Sequence, residues 1–260
     1  MLEHKVKTAL LVVFLLILAE VLTIPFFSVA RLKTENPVET ALMRQRLVEA
    51  AAEKKPLKII HRWIPLSLIP KHVIDAVIVA EDGTFYTHGG IDWFEVRESI
   101  EKDVAEKRAA RGASTITQQL AKNLYLSTSK DPIRKLKELI ITFLLEGTLS
   151  KNRILELYLN SIEWGRGIFG IEAAAQTYFG KSASDLSLEE ATRLAAVIPS
   201  PLRHRPDQDS RYVLRRKQIV LGRMEARNFV HQNVEKEDST QSLMNFIDST
   251  AIDEGDENGL

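Results

Sequence analysis

The sequence predicts a mostly α-helical body carried behind one apolar N-terminal helix. Three observations predict it. Apolar residues recur at helical spacing in one segment after another between Val73 and Pro199. Two of those segments open on capping-box signatures, Thr115 with Gln118 and Ser187 with Glu190. Ahead of them, Thr8 to Ala30 runs for 23 residues with a single charge, Glu20, and a single proline, Pro25.

Taken in order, the apolar run comes first. As one helix it would reach roughly 34 Å at 1.5 Å per residue, enough for a hydrocarbon core of about 30 Å. Lys5 and Lys7 precede it and Arg31 and Lys33 follow, so the charge bias across it is weak. A cleaved signal peptide ending at Ser28-Val29-Ala30 competes with a retained signal-anchor. The anchor is preferred because apolar character resumes after Glu20 and lasts to Val29. Glu20 itself reads as a tolerated charge, with a partner contact as the alternative. Residues 1–31 are thus a cytoplasmic stub and transmembrane anchor. Residues 32–60 read as a stalk, in which Leu42, Met43, Leu47 and Val48 form a short helical stripe ending before Pro56.

The folded body spans 61–228. Val73 to Ala80 is an apolar helix whose face continues through Ile74, Val77 and Ile78 to Glu81. A glycine-rich turn follows at Thr87-His88-Gly89-Gly90. Thr115 to Leu126 is a capped helix fed by the small residues Gly112-Ala113-Ser114. Ile133 to Glu146, Ile154 to Leu159 and Ile171 to Phe179 are further helices, the last stopped by Gly180. The helix opening at Ser187 stops at Pro199. Strand signals are poor and there is no internal repeat.

Composition narrows the partners. With no cysteine, thiol nucleophiles, disulfide scaffolds and cysteine zinc sites are excluded. The balance of 35 basic and 35 acidic residues is a cancellation. From His231 onward there are eight acids against Lys236 alone, which leaves a body of +7 and a tail of −7. A basic body behind an apolar helix suits phosphate or a membrane surface. Residues 229–260 read as an acidic, solvating and disordered tail.

Glu81 is the most informative position. A carboxylate that extends an apolar stripe meets low dielectric, which raises its pKa and suits it to acid–base work near neutrality. A structural carboxylate satisfied by backbone or arginine is the competing account. Glu138, in Arg134-Lys135-Leu136-Lys137-Glu138, is either an i,i+4 ion pair with Arg134 or a second carboxylate poised among cations beside an anionic ligand. Two carboxylates in unlike environments are the pattern of glycosidic chemistry. The helix start at Ser114-Thr115, with Lys122 two turns in, favours an anion only weakly by itself. His88 is a turn histidine before it is a ligand. Ser127-Thr128-Ser129-Lys130 matches S-x-x-K but is rejected, because no K-T-G or S-x-N follows. The cluster Arg203, Arg205, Arg211, Arg215, Arg216, Lys217 and Arg223 is a solvated face or a surface for anionic headgroups.

In order, these strings resemble glycosyltransferase family 51, the peptidoglycan glycosyltransferases. Glu81-Asp82-Gly83-Thr84-Phe85-Tyr86-Thr87-His88-Gly89-Gly90-Ile91-Asp92 is similar to E-D-x-x-F-x-x-H-x-G-x-D, and Gly112 to Asn123 to G-[GA]-S-T-I-T-Q-Q-L-x-K-N. Arg134 to Glu138 fits R-K-x-x-E, and Ser150-Lys151 with Ile154 to Asn160 fits S-K…I-L-E-x-Y-L-N. Glu163-Trp164-Gly165, Tyr178-Phe179-Gly180-Lys181 and Pro199 to Pro201 fit a fifth region, so the likeness runs from Arg62 to Pro206.

The resemblance implies a lysozyme-like α fold that polymerises lipid II by inverting glycosyl transfer, releasing undecaprenyl pyrophosphate. It implies Glu81 as general base and Glu138 as the second catalytic carboxylate, with Arg134 and Lys137 assisting the leaving group. Thr115, Gln119 and Lys122 would line the donor site, with Ser114, Gln118 and Asn123 also on the substrate, while Asp82, Phe85 and His88 would shape the acceptor side. No cofactor is required and no resident metal is expected, with room for a divalent cation, Mg or Mn, at the pyrophosphate. The implied partners are lipid II, the growing lipid-linked glycan, the membrane and other cell-wall synthesis or division proteins, with no nucleic acid. The implied location is the bacterial inner membrane, single-pass, with the catalytic domain on its outer face. No transpeptidase domain is expected after Pro206. A lytic transglycosylase and a catalytically decayed scaffold are the alternatives; Glu138 within R-K-x-x-E argues against the first, and Glu81 with Glu138 against the second.

Overall fold

The computed structural model describes residues 2–106, 114–129 and 131–227. The acidic tail, the loop residues Gly112 and Ala113, and Lys130 of the S-x-x-K string lie outside the described residues.

The elements run α1 (Leu2–Leu22), α2 (Phe26–Arg31), α3 (Ala41–Ala52), β1 (Ile60–His61), α4 (Lys71–Glu81), α5 (Trp93–Glu106), α6 (Ile116–Tyr125), α7 (Pro132–Thr148), α8 (Lys151–Ser161), β2 (Glu163–Gly165), β3 (Ile168–Phe169), α9 (Ile171–Phe179), α10 (Leu188–Val197) and α11 (211–227). The mostly helical body is as the periodicity predicts, and both capping boxes form with reciprocal hydrogen bonds. Gly180 ends α9 in the left-handed conformation, at φ +68°.

α4 packs on α10, and α6 packs on α7 and α8, around a core whose largest buried side chains are Trp164, Tyr158, Phe85 and Phe169. Three short strands form one sheet in the order β1-β3-β2, parallel then antiparallel, with Ile60 opposite Ile168 and a bulge between Glu163 and Gly165. Strands of two and three residues leave no period-2 pattern to read, which is why they escape the sequence. α5 escapes it too. Its Trp93, Phe94 and Ile100 are exposed, so no core-facing stripe marks the helix, and its start rests on Asp92 accepting from the Phe94 and Glu95 N–H groups at 3.0 Å each.

Two expectations at the N-terminus are corrected. The run from Thr8 to Ala30 is two helices, because Pro25 has no N–H to continue the ladder and the chain turns at Thr23–Ile24. What remains apolar in α1, from Thr8 to Leu22, spans about 22 Å. Among the described residues no helix is long and apolar enough to cross a membrane. The second correction is the stalk. Ile24, Val29 and Leu32 are buried in the main core, and Leu42 and Met43 of α3 pack on Phe169. Arg46 reaches from α3 to the buried Glu163 of β2 at 2.8 Å. Residues 24–52 are therefore packed onto the body, and residue 60 is no boundary of the core.

Candidate active site

α4 delivers Glu81 to the mouth of a cleft of about 580 Å³. Val73, Ala76, Val77 and Ile78 bury the helix, and its last residue emerges beside Asp82, Ser114 and Thr115 on one wall and Arg216, Arg223 and Arg227 of α11 on the other. Glu81 Oε2 accepts a 2.9 Å hydrogen bond from Gln119 Nε2. Tyr158 Oη in turn donates to Gln119 Oε1 at 3.1 Å, which orients the amide. Burial pushes the Glu81 carboxyl up, against the Gln119 hydrogen bond and the charges of Arg216, Lys122 and Arg223, which pull it down. Tyr158 is wholly buried, its pKa raised well above the ordinary value by desolvation and by the Glu81 and Asp82 charges, so it stays a neutral donor.

Asp82 is fully committed. One oxygen accepts from His88 Nε2 at 2.8 Å and the other from the Ile116 N–H at 2.9 Å, tying the E-D turn to the start of α6. His88 Nδ1 accepts from the Gly90 N–H at 3.1 Å, which leaves Nε2 to donate to Asp82. Gly90 sits at φ +92°, where a Cβ would come within 2.8 Å of Thr142 Cγ2 and 2.9 Å of Glu146 Cγ. His88 and Asp82 therefore brace the loop. Phe85 is wholly buried beneath it, with Lys151 Nζ 4.5 Å from its ring centroid, and does not face the cleft.

On α6, Thr115 and Gln118 are spent on the capping box, Thr115 also donating to Gly90 O at 2.7 Å. Ser114 and Thr115 line the cleft, and Asn123 is buried. Lys122 lies within electrostatic reach of both carboxylates. Burial lowers its pKa, and Glu138 and Glu81 both raise it. It makes no ion pair among the described residues.

Glu138 is buried in α7 and both its oxygens are taken, one by Arg134 Nη1 at 2.5 Å and the other by Lys135 Nζ. The ion pair with Arg134 and the cationic setting are both realised. Lys135, absent from the expected site, supplies the second cation. Lys137 pairs instead with Glu20 of α1, which makes Glu20 a contact residue and not a tolerated charge. Among the described residues no group of three or more His, Asp or Glu side chains could hold a metal ion. Glu138, already paired with two of the protein's own cations, is a poor ligand for a divalent ion at the pyrophosphate.

Arg216 and Arg227 are the residues that sequence reasoning left on a solvated face or overlooked. Arg216 Nε and Arg227 Nη1 are buried without a hydrogen-bond partner, while Arg223 donates to Val79 O at 3.0 Å. Their i, i+7 and i+11 spacing put them on one stripe of a helix, a signal visible in the sequence but unassignable without knowing what α11 faces.

A family model described as Transglycosylase matches residues 49–225. The chain belongs to the transglycosylase family. It is 45% identical over 189 residues to the biosynthetic peptidoglycan transglycosylase of Nitrosospira multiformis, covering 73% of this chain and 82% of that one. It is 49% identical over 169 residues to the protein of that name from Aromatoleum aromaticum, covering 65% and 74%. With that of Azoarcus sp. it shares 48% over 180 residues, covering 69% and 78%. The matched span holds every residue of this transglycosylase that lines the cleft or clusters around Glu138 within α7, apart from Arg227, and leaves Glu20 outside it. Peptidoglycan glycosyl transfer in cell-wall synthesis is the reaction of this family.

Proposed function

We propose that the protein polymerises lipid II, with Glu81 as the base that takes the proton from the acceptor's 4-hydroxyl as that oxygen attacks the donor's anomeric carbon. The new C–O bond forms as the bond to the pyrophosphate breaks on the opposite face, inverting the anomeric centre and giving a β-1,4 link. The observation that carries this reading is Glu81 itself. It is a desolvated carboxylate aimed by one neutral donor, at the junction of two cationic surfaces.

Those surfaces divide the work. Lys122, Arg134 and Lys137 lie on the α6–α7 side and suit the negative charge that develops on the departing pyrophosphate. Arg216, Arg223 and Arg227 suit the phosphates of the other glycan-bearing lipid. Glu138 touches no reacting atom in this scheme. With both oxygens on Arg134 and Lys135, it positions those cations. Asp82, His88, Thr115 and Gln118 hold the loop and helix start that frame the cleft.

The lipid part of the substrate places the protein at the outer face of the cytoplasmic membrane, held there by α1 and the apolar surface beside it. Leu11, Phe14, Leu15 and Leu22 of α1 are exposed, as are Phe26 and Phe27 after the Pro25 break. Leu136 and Phe143 of α7 add to the apolar surface. Burying such side chains in lipid contributes about 1.5–3 kcal/mol each.

The test is polymer formation from labelled lipid II by the purified chain in detergent. Wild type makes glycan, and Glu81→Gln, which keeps the shape and the Gln119 contact site, loses about 10²- to 10⁴-fold in turnover. Turnover within a few-fold of wild type in Glu81→Gln would remove Glu81 from the role of base.

A further inference from the structure

We propose that Glu20 is a displaceable counter-ion of Lys137, which it holds while the donor site is empty and yields to the donor's pyrophosphate. This rests on the reading of the α6–α7 side as the donor site.

The cations of that side have unlike partners. Arg134 and Lys135 are bound to Glu138 within α7, and Lys122 has no ion pair among the described residues. Lys137 alone of the three α7 cations takes its counter-ion from another element, α1. The two ends of that pair are also unequal. The Lys137 side chain is 21% exposed and that of Glu20 48%. Glu20, the more exposed end of the pair, therefore loses less by leaving it than Lys137, which without a partner is a largely buried, uncompensated cation. It needs an anion, and a pyrophosphate diester brings two negative charges and several acceptor oxygens where Glu20 brings one charge.

The chain is built to let Glu20 move without disturbing the fold. Downstream of Pro25, the segment is fastened. Val29 and Leu32 are in the core, Ser28 Oγ lies 3.2 Å from Tyr125 Oη, and Arg153 donates to Leu32 O and Glu35 O at 2.8 Å. Upstream, Val21 and Leu22 are exposed. Glu20 thus sits at the end of α1 just before a proline break, held near Lys137 by a short tether and by the ion pair itself. In that geometry the last turn of α1 competes with substrate for one ammonium group.

The experiment titrates the full chain in neutral detergent with inorganic pyrophosphate by calorimetry. Glu20→Gln removes the competitor and is expected to tighten the dissociation constant by about three- to fivefold, the scale of a partly exposed ion pair. Its KM for lipid II falls in the same direction with kcat unchanged. Glu20→Asp keeps the charge and stays at the wild-type value. In a Lys137→Met background, Glu20→Gln changes nothing further. Equal or weaker pyrophosphate binding by Glu20→Gln overturns the proposal while leaving the donor site standing. Wild-type protein that binds no pyrophosphate overturns the donor-site reading and the proposal with it. A gain seen only with vesicles containing phosphatidylglycerol, and not with pyrophosphate, assigns Lys137 to a lipid headgroup and also overturns it.

Discussion

Glu81 is useful because two opposed influences meet on one carboxylate. Desolvation at the end of α4 favours the protonated form, and the Gln119 amide with the surrounding cations favours the ionised one. Since a base must be ionised to accept a proton, the acid limb of the rate profile should lie above the ordinary carboxylate range. Gln119→Leu removes the donor that opposes desolvation. The limb then moves to still higher pH and turnover at neutrality falls, while turnover well above the limb recovers towards wild type. Measuring polymerisation against pH at saturating lipid II checks this, and an unmoved limb would mean that another group titrates. Glu81 was legible in the sequence because the apolar stripe of its helix runs into it. Arg216 and Arg227 were not. Their significance lies in buried nitrogens that lack partners, and burial at that distance from Glu81 depends on how α11 packs.

The elements owe their ends to local chemistry, and the cluster of cations depends on one such end. Asp131 caps α7, accepting from the Ile133 N–H at 3.0 Å and the Arg134 N–H at 3.4 Å, with Pro132 at the first helical position. That turn carries Arg134, which also donates to Ser129 O at 2.6 Å. Asp131→Ala should cost about 1 kcal/mol of stability. It should also raise the KM for lipid II more than it lowers kcat, because the helix start that holds Arg134 frays. Thermal unfolding and steady-state kinetics on the same preparation separate the two effects. A KM at the wild-type value would mean that Glu138 and Ser129 hold Arg134 without the cap. The helices of the body were readable in advance because caps and 3.6-residue periodicity are local signals. The strands were not, since pairing of two- and three-residue segments arises from contact between distant parts of the chain.

At the scale of the molecule, the N-terminal segment divides after Leu22, where residues placed in the core begin with Ile24. Deleting residues 2–22 removes, among the described side chains, none placed in the core and only the Glu20 partner of Lys137, so the unfolding temperature in detergent should fall only slightly. Deleting residues 2–36 also removes Ile24, Val29 and Leu32, each buried side chain contributing about 1.5–3 kcal/mol. That variant should unfold at a markedly lower temperature. If both deletions behaved alike, the packing of residues 24–32 on the body would not contribute to stability. The same division explains why an apolar run alone misleads. Composition cannot distinguish a segment that faces lipid from one that faces the protein's own core.

By itself the sequence determined the helical class, the helix caps, the charged motifs around Glu81 and Glu138, and the family they belong to. These are properties of neighbouring residues, where spacing along the chain equals spacing on a helix. Only the tertiary structure decided who pairs with whom. It gave Glu138 to Arg134 and Lys135, Lys137 to Glu20, Glu81 to Gln119, and residues 24–52 to the body. An ion pair or a desolvated carboxylate depends on distances of a few ångströms between residues far apart in the chain, and no local pattern encodes those distances.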